Sequence, residues 1–370
     1  MGDCFVFCDE LGPAKIFHVY EPKTGLKGTL VVDNVALGPA LGGTRMGTDV
    51  TTRECFRLAR AMSLKNAAAG LAHGGGKSVI QADPNCSIEK KEQTIRAMAS
   101  ALRDVKDYIF APDMGTDERC MAWIKDETER VVGLPRELGG IPLDEIGATA
   151  WGLKHATETA IEFCHFELSG ARVVIQGFGN VGRNVARFLN RSGVVVVAVA
   201  DIGGAVFNAG GLNVPDLMEL ASEGKSVSVY PDGERLDNRN LIDVACDIWI
   251  PAAQPDVITK DNVNRLKAEL VVPGANIAVT PEAEHILHEK GVLCLPDFIV
   301  NSGGVICAAM EHAGACESAV FPVIEEKVTS NTRHVIEASM SKGMLLRAAA
   351  EEMAVERIKK GMSYKRWSVF

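Results

Sequence analysis

Residues 172–182 read Arg172-Val-Val-Ile-Gln-Gly-Phe-Gly-Asn-Val-Gly182, a short apolar run followed by three spaced glycines. The run predicts a buried strand, and the pattern after Gly179 predicts a helix. Glycines at such a turn let the backbone approach a pyrophosphate at the helix N-terminus. The next apolar run, Val194–Ala200, is followed by Asp201, an acid placed to accept a hydrogen bond from a ribose 2′-hydroxyl. The segment predicts dinucleotide binding; the alternative is that the glycines serve only tight packing of strand on helix.

The residues after Asp201 bear on which dinucleotide would bind. No Arg or Lys occurs between Ile202 and Gly211 to receive a 2′-phosphate. NAD is therefore favoured over NADP as the cofactor.

Further short apolar runs surround this segment and alternate with helical patterns. A helical pattern at 148–167 precedes it and another near 214–223 follows it, while apolar runs recur at 247–250 and 269–272. This alternation is typical of a parallel, doubly wound sheet. The predicted fold class is therefore α/β, with a Rossmann-type domain in the middle of the chain.

The first part of the chain has a different texture. Residues 15–20 and 28–33 predict a hairpin, and helices are predicted from Thr51 and from about Ser87. The Gly- and Pro-rich segment 136–147 predicts a boundary. We therefore expect an N-terminal α+β substrate domain at 1–146, an NAD-binding Rossmann domain at 147–323, and C-terminal helices at 324–370. Two domains with a cleft fit 370 residues, more than one core usually supports.

Composition narrows the partners and the compartment. A net charge of −9 argues against nucleic-acid binding and favours a small molecule. The ten cysteines are scattered singly, which predicts free thiols in the cytoplasm and no structural metal. We also find no targeting segment and no apolar run long enough to span a bilayer.

A second informative segment lies between two lysines, Lys65 and Lys77. Gly74-Gly-Gly76 precedes Lys77, and three glycines let the backbone pass very close to a ligand. A lysine held there could act as acid, base or electrostatic anchor. Spacing alone also permits the alternative of two solvated surface lysines beside a flexible loop.

Seven motifs lie in an order that resembles the glutamate/leucine/phenylalanine/valine dehydrogenases, over roughly residues 15–311. They are Gly38–Arg45, Lys65 with Gly74–Lys77, Ala111–Thr116, Gly177–Gly182, Pro251–Ala253, Gly274–Asn276 and Asn301–Gly304. The resemblance implies reversible, NAD-dependent oxidative deamination of an L-amino acid to a 2-oxo acid and ammonia. It further implies a homo-oligomer and C-terminal helices at 324–370 that return to the first domain.

The resemblance also assigns roles to individual residues. Lys65 would bind the substrate α-carboxylate, and Lys77 would be the catalytic lysine that activates water. Asp113 would shuttle protons to and from the substrate nitrogen; the alternative for Asp113 is an aspartate that only forms a turn after Pro112.

The remaining candidates line the substrate and the cofactor. Gly42 and Gly43 would let the backbone approach the substrate, and Asn276 and Asn301 would lie near the substrate and the nicotinamide. For Asn301 the alternative is a left-handed turn residue. The cofactor-binding set implied by the resemblance is Gly177, Gly179, Asn180, Val181, Gly182, Asp201, Ala252, Ala253 and Asn276. His73 and His312 are expected to pack rather than catalyse.

Leu41 bears on the choice of substrate. Glutamate-specific members of the family carry a lysine at this position, and burying an unpaired carboxylate against leucine costs several kcal/mol. Residues 40–46 resemble the leucine and phenylalanine dehydrogenases, which favours an aliphatic or aromatic amino acid. We expect Leu41, Val300 and residues near Ala308 to form the pocket wall.

Other functions remain as alternatives. Residues 121–124 and 274–276 are similar to glutamate dehydrogenases, so glutamate is the alternative substrate. A nucleotide-binding regulator without turnover is a less favoured reading, since fold does not fix function. A 2-hydroxy-acid dehydrogenase would need a His base with an acidic partner and an Arg, and no such set is recognisable in the sequence.

Overall fold

The computed structural model describes residues 4–370. They form two compact units. Unit 1 comprises the chain up to Leu143 with Val305–Val320 and Glu351–Phe370, and unit 2 comprises Asp144–Gly304 and Phe321–Ala350. The C-terminal part, expected as one block at 324–370 that returns to the first domain, divides between the units: Glu351–Phe370 belongs to unit 1 and Phe321–Ala350 to unit 2. Residues 305–320, expected in the NAD-binding domain, belong to unit 1.

The helices and strands are numbered in chain order. The helices are α1 (Thr52–Ala68), α2 (Ile88–Ala101), α3 (Glu118–Thr128), α4 (Leu143–Ile146), α5 (Ala148–Ile161), α6 (Asn180–Arg191), α7 (Val214–Ser222), α8 (Pro281–Glu289), α9 (Asp297–Val300), α10 (Gly303–His312), α11 (Val320–Lys342) and α12 (Leu346–Met362). The strands are β1 (Lys15–Glu21), β2 (Leu26–Asn34), β3 (Ala40–Gly47), β4 (Gly74–Gln81), β5 (Tyr108–Pro112), β6 (Arg172–Gln176), β7 (Val195–Asp201), β8 (Gly204–Phe207), β9 (Glu234–Leu236), β10 (Ile248–Pro251), β11 (Leu270–Val271) and β12 (Leu293–Cys294).

Unit 1 contains a mixed five-stranded sheet in the order β1-β2-β4-β3-β5. The predicted hairpin forms its β1–β2 edge, and β3 runs parallel to both β4 and β5. The predicted helix starts are confirmed by their caps. The side chain of Thr51 accepts the N–H of Glu54 at 3.1 Å, and that of Ser87 accepts the N–H of Lys90 at 3.4 Å.

The glycine-rich segment before Lys77 is the central strand β4, not the flexible loop of the alternative reading. Because these glycines have no Cβ, other parts of the protein can pack directly against the strand. A Cβ on Gly74 would overlap the carbonyl of Asn34, one on Gly75 would overlap the backbone of Ser63 in α1, and one on Gly76 would lie 3.0 Å from the Tyr108 ring. A helix, a loop and an aromatic ring therefore occupy the space that side chains at these three positions would need.

Unit 2 contains a seven-stranded sheet in the order β12-β11-β10-β6-β7-β8-β9. The strands from β12 to β7 are parallel, as predicted for a doubly wound fold. The antiparallel strands β8 and β9 extend one edge and were not predicted. Buried Val174, Val197 and Trp249 belong to the core of this unit.

One further property concerns membranes. No helix within residues 4–370 combines the length and apolar character that a bilayer crossing needs.

Candidate active site

Lys77 and Asp113 form a buried ion pair in unit 1. Lys77 lies on β4 with 6% of its surface exposed, and its Nζ is 2.6 Å from Oδ2 of Asp113. Gly43 on neighbouring β3 faces this pair, since a Cβ there would lie 3.0 Å from Nζ and 2.8 Å from the Asp113 Cβ. The burial of Lys77 contradicts the surface-lysine alternative at this position. Gly43 leaves room for the ion pair itself.

Arg45 completes this group and was missed by the sequence reasoning. Its Nε donates to Oδ2 of Asp113 at 3.0 Å, the same oxygen that contacts Lys77. A terminal nitrogen of Arg45 donates to Glu54 in α1 at 2.6 Å. The available signal was its place in the motif Gly38–Arg45, where it is the charged residue. In the folded strand, Leu41, Gly43 and Arg45 share a face of β3.

The environment of Asp113 keeps its carboxyl ionised. Burial raises the pKa of Asp113, but the charges of Lys77 and Arg45 outweigh burial, so this pKa lies below its ordinary value. Asp113 also forms the turn that the alternative proposed: its N–H donates to Oγ1 of Thr116 at 3.0 Å and its carbonyl accepts the N–H of Thr116 at 2.9 Å. The turn and the ion pair are therefore compatible, and the turn fixes the backbone that carries the carboxylate.

Lys65 lies in the last turn of α1 and is half-buried. The adjacent Asn66 fixes this helix end to two strands. Its Nδ2 donates to the carbonyl of Leu41 on β3 at 3.1 Å and to that of Gly74 on β4 at 2.7 Å. This anchor could not be predicted from the sequence, because Asn66 has no local pattern that distinguishes it from other helix residues.

Leu41 belongs to a buried apolar cluster on the same face of β3 as Gly43 and Arg45. It is 1% exposed. The other members of this Leu41 cluster are Ile109, Ala111, Val132 and Ala308, with Met62 packed against it. Of the expected pocket wall, Leu41 and Ala308 therefore come together, whereas Val300 is buried in unit 2.

Glu311 shows why residues 305–320 belong to unit 1. Its carboxylate accepts backbone N–H groups of Gly133, Leu134 and Ile141 at 2.8, 3.1 and 2.9 Å. Together with Ala308, it attaches α10 to this unit through contacts between residues far apart in the chain, which periodicity cannot reveal.

Gly42 faces the side of the β3 backbone opposite to Gly43. A Cβ on Gly42 would overlap the carbonyl of Gly76, and the hydroxyl of Tyr108 donates to the Gly42 carbonyl at 2.7 Å. Protein therefore fills the space that a Cβ on Gly42 would occupy.

His73 and His312 contact each other edge to face, with ring centroids 5.6 Å apart. Nδ1 of His73 lies 3.2 Å from the carbonyl of Pro39. Burial lowers the pKa of His73. The pair packs within unit 1, in line with the expectation for both histidines.

The three glycines after β6 have three different surroundings. A Cβ on Gly177 would lie 2.8 Å from Ala253, and one on Gly182 would overlap the carbonyl of Gly177. Gly179 faces open space, and no side chain caps α6, which begins at Asn180. An uncapped helix start beside an unobstructed glycine can accept the pyrophosphate of a dinucleotide.

Further cofactor candidates surround this helix start. The segment Pro251–Ala253 follows β10, which neighbours β6 at the point where strand order reverses. A Cβ on Gly274 would lie 3.0 Å from Val181 and 3.2 Å from Ala252. Val181, Ala252 and Gly274 therefore line one region at the carboxyl ends of the strands.

Asp201 ends β7 and already has hydrogen bonds within the protein. Oδ1 accepts from Oγ of Ser226 at 2.7 Å and from the N–H of Gly203 at 2.8 Å, and Oδ2 accepts from the N–H of Val227 at 2.7 Å. These bonds orient the carboxylate and attach the segment 226–229 to the end of the strand.

Asn276 and Asn301 are brought together in unit 2. Nδ2 of Asn301 donates to Oδ1 of Asn276 at 2.9 Å. Asn301 has a φ of −94°, so it is not the left-handed turn residue of the alternative. Asp297 links the two segments, since its Oδ2 accepts the N–H of Ile277 at 2.6 Å and its carbonyl accepts the N–H of Asn301 at 2.9 Å.

Arg347 holds Asp297 in place and was not identified from the sequence. It donates to Asp297 at 2.8 Å and to Glu284 at 2.7 Å. Burial works against the charge of Arg347, but these two carboxylates outweigh it and raise its pKa. This buried group positions the turn that carries Asn276.

Within residues 4–370, the His, Cys, Asp and Glu side chains form no group of three or more that could hold a metal ion.

Comparison with known proteins identifies the family. Residues 13–130 match the family model described as Glu/Leu/Phe/Val dehydrogenase, dimerisation domain, and residues 139–366 match Glutamate/Leucine/Phenylalanine/Valine dehydrogenase. The chain is 35% identical over 357 residues to a glutamate dehydrogenase of Aeropyrum pernix, covering 90% of this chain and 85% of the relative. It is 34% identical over 350 residues to an NADP-specific glutamate dehydrogenase of Saccharolobus shibatae, covering 89% and 82%.

A solved structure gives the same result. The hetero-hexameric glutamate dehydrogenase of Thermus thermophilus, in its Leu-bound form, superposes with a TM-score of 0.82 at 28% identity, covering 94% of this chain and 89% of that chain. This chain therefore belongs to the glutamate/leucine/phenylalanine/valine dehydrogenase family and is an amino-acid dehydrogenase.

Proposed function

We propose that this enzyme catalyses the reversible oxidative deamination of an L-amino acid with NAD⁺. The amino acid, water and NAD⁺ give the 2-oxo acid, an ammonium ion, NADH and a proton. The observation that carries the proposal is the buried pair of Lys77 and Asp113, with Nζ and Oδ2 2.6 Å apart. An ammonium and a carboxylate in direct contact supply the acid and the base that deamination requires.

In this proposal Lys65 binds the substrate α-carboxylate as a cation. Asp113 binds the substrate ammonium and takes a proton from it, which leaves the amine that can lose its Cα hydride. An incoming ammonium competes with Lys77 for Oδ2 of Asp113. Displaced from its carboxylate partner, buried Lys77 releases a proton to solvent, which is the proton of the overall reaction. The neutral amine then takes a proton from the water that attacks the substrate imine. Asp113 then returns a proton to the departing nitrogen.

Arg45 has a distinct part in this sequence. When Lys77 becomes neutral, Asp113 loses one of its two positive neighbours. The guanidinium stays charged throughout, so Arg45 remains a positive neighbour of Asp113 while Asp113 and Lys77 give and take protons.

The residues of unit 2 fit a dinucleotide. Bound NAD⁺ supplies the acceptor for the substrate Cα hydride. Gly179 leaves open space at the uncapped start of α6 for the pyrophosphate, and Asp201 places a carboxylate at the end of β7 for the ribose. Asp201 and the lack of Arg or Lys at 202–211 favour NAD; the NADP-specific relative from Saccharolobus shibatae supports NADP as the second candidate.

For the substrate side chain we propose an aliphatic or aromatic group. The Leu41 cluster supplies apolar atoms on the face of the sheet that carries Lys77, and a buried carboxylate would find no partner among them. Glutamate is the second candidate, and the names of the two relatives at 35% and 34% identity favour it over the first.

A panel of L-amino acids with NAD⁺ and with NADP⁺, followed by absorbance of the reduced cofactor, tests these assignments together. Fastest turnover with leucine, valine or phenylalanine and NAD⁺ supports the first candidates. Fastest turnover with glutamate would make glutamate the substrate instead of an apolar amino acid. Cofactor binding without turnover of any amino acid would support the alternative of a nucleotide-binding regulator.

We also propose a homo-oligomer in the cytoplasm. The family model over residues 13–130 is described as a dimerisation domain, and the cysteines described, from Cys8 to Cys316, are free thiols. Light scattering after gel filtration measures the assembly, and a monomeric mass contradicts the first part.

A further inference from the structure

Ile277 combines two features that the fold of unit 2 leaves unexplained. Its φ is +47°, in the left-handed region that β-branched residues avoid. Its side chain is also 57% exposed, so the residue gains little from packing in the free protein. Glycine at this position would avoid the backbone strain.

The backbone on both sides holds Ile277 in this conformation. Its N–H donates to the buried Oδ2 of Asp297 at 2.6 Å, and its carbonyl accepts the N–H of Asp256 at 2.9 Å. Asp297 is itself fixed by Arg347. The turn is therefore built to keep the Ile277 side chain outside the core.

The position of this turn indicates what the side chain meets. Ile277 follows Asn276, whose Oδ1 is bonded to Asn301, in the segment after β11. Ligands of doubly wound sheets bind beyond the carboxyl ends of the strands. Strained residues that the surrounding structure enforces are concentrated at ligand sites.

We propose that the Ile277 side chain packs against the nicotinamide half of the bound dinucleotide, as a specificity-determining apolar contact of the cofactor site. The inference rests on the proposed function, since it requires a dinucleotide in unit 2. Cofactor binding buries the exposed isoleucine surface, which offsets the backbone strain that the free protein carries.

Two probes separate this contact from general effects on binding. NADH contains both halves of the dinucleotide, whereas ADP-ribose lacks the nicotinamide. We expect Ile277→Gly to weaken NADH binding about tenfold and to leave ADP-ribose binding unchanged. The same variant should raise Tm by about 2 °C, because strain is relieved.

Three further variants control the experiment. Asparagine tolerates the left-handed region, so Ile277→Asn should weaken NADH binding as Ile277→Gly does. Ile277→Val keeps a β-branched apolar side chain and should retain most NADH affinity. Glu129→Gly relieves another left-handed residue, with φ +57° at the end of α3 in unit 1, and should raise Tm without changing either affinity.

The outcomes distinguish failure of this inference from failure of the proposed cofactor. Unchanged NADH binding by Ile277→Gly, or equal weakening of NADH and ADP-ribose, overturns the inference alone. A lower Tm for Ile277→Gly also overturns it, because the side chain would then support the free fold. If the wild-type chain binds neither probe, the proposed cofactor fails and this inference fails with it.

Discussion

Arg45 donates its Nε–H to Oδ2 of Asp113 across 3.0 Å, and this is the oxygen that Lys77 also contacts. One carboxylate oxygen thus has one neighbour that can lose its proton and one that cannot. This asymmetry determines the first two predictions.

Removing the positive charge of Arg45 should move the acid limb of the pH profile. The low pKa of Asp113 depends on Lys77 and Arg45 overcoming burial, so Arg45→Met raises this pKa. Activity that needs the carboxylate is lost as pH falls through the pKa, and the limb of kcat/KM should therefore shift about one unit to higher pH. Glu54→Gln, which removes only the anchor of Arg45, should give a smaller shift in the same direction.

Arg96→Met is the matched control for Arg45→Met. Arg96 pairs with Glu92, Asp126 and Glu127 on α2 and α3, away from Asp113. Its pH profile should match that of the wild type. An unchanged acid limb in Arg45→Met would show that Asp113 does not need Arg45.

Lys77→Ala should abolish measurable turnover while NADH binding is retained. Losing an acid–base group lowers kcat by about 10²- to 10⁴-fold, and the dinucleotide candidates lie in the other unit. Steady-state kinetics and NADH fluorescence titration measure the two effects. Lys359→Ala, which removes an exposed lysine paired with Glu10, is the control. Near-normal kcat in Lys77→Ala would refute the assigned chemistry.

Leu41→Lys should raise the ratio of kcat/KM for glutamate to that for leucine. The new ammonium would provide a partner for a side-chain carboxylate in an otherwise apolar cluster. Without substrate this buried charge should lower stability by several kcal/mol, which a thermal melt detects. Leu41→Met conserves volume and should alter neither quantity much. A folded Leu41→Lys enzyme with an unchanged ratio would remove Leu41 from the substrate pocket.

Gly179→Ala and Gly182→Ala should separate cofactor binding from folding. A Cβ at Gly179 meets only open space, so stability should change by less than about 1 kcal/mol. NADH affinity should fall about tenfold or more, because the methyl group lies where the pyrophosphate approaches. At Gly182 the Cβ overlaps the Gly177 carbonyl, so stability should fall by about 1–3 kcal/mol. Equal effects of the two substitutions on NADH binding would contradict this division.

Elements with a regular pattern could be predicted from the sequence. The start of α1 after Thr51, strands β6 and β7, and the glycine turn at 177–182 all carry local signals of apolar period, cap or glycine spacing. Strands β3 and β4 escaped prediction because their glycines have no side chains to show a period of two. Their strand conformation is dictated by neighbours such as Ser63 and Tyr108 that lie far away in the chain.

The residues of the candidate site also fall into those that could be predicted from the sequence and those that could not. Lys65, Lys77 and Asp113 stand in motifs whose residue types suggest chemistry. Arg45 and Arg347 act through carboxylates that only the folded chain brings to them. Ile277 escaped notice because a positive φ leaves no trace in a single sequence unless the residue is glycine.

The division of the chain between the two units has a consequence for synthesis. The chain passes between the units at four points, at 143/144, 304/305, 320/321 and 350/351. Unit 1 therefore lacks the α10 residues Ala308 and Glu311 until the segment Asp144–Gly304 of unit 2 has been made, and Glu351–Phe370 follows only after Phe321–Ala350. An N-terminal domain usually folds while the rest of the chain is translated. Unit 1 cannot follow this order. A nascent chain stopped at Leu143 would expose the Leu41 cluster, so truncated products should be substrates for chaperones and proteases rather than stable half-enzymes.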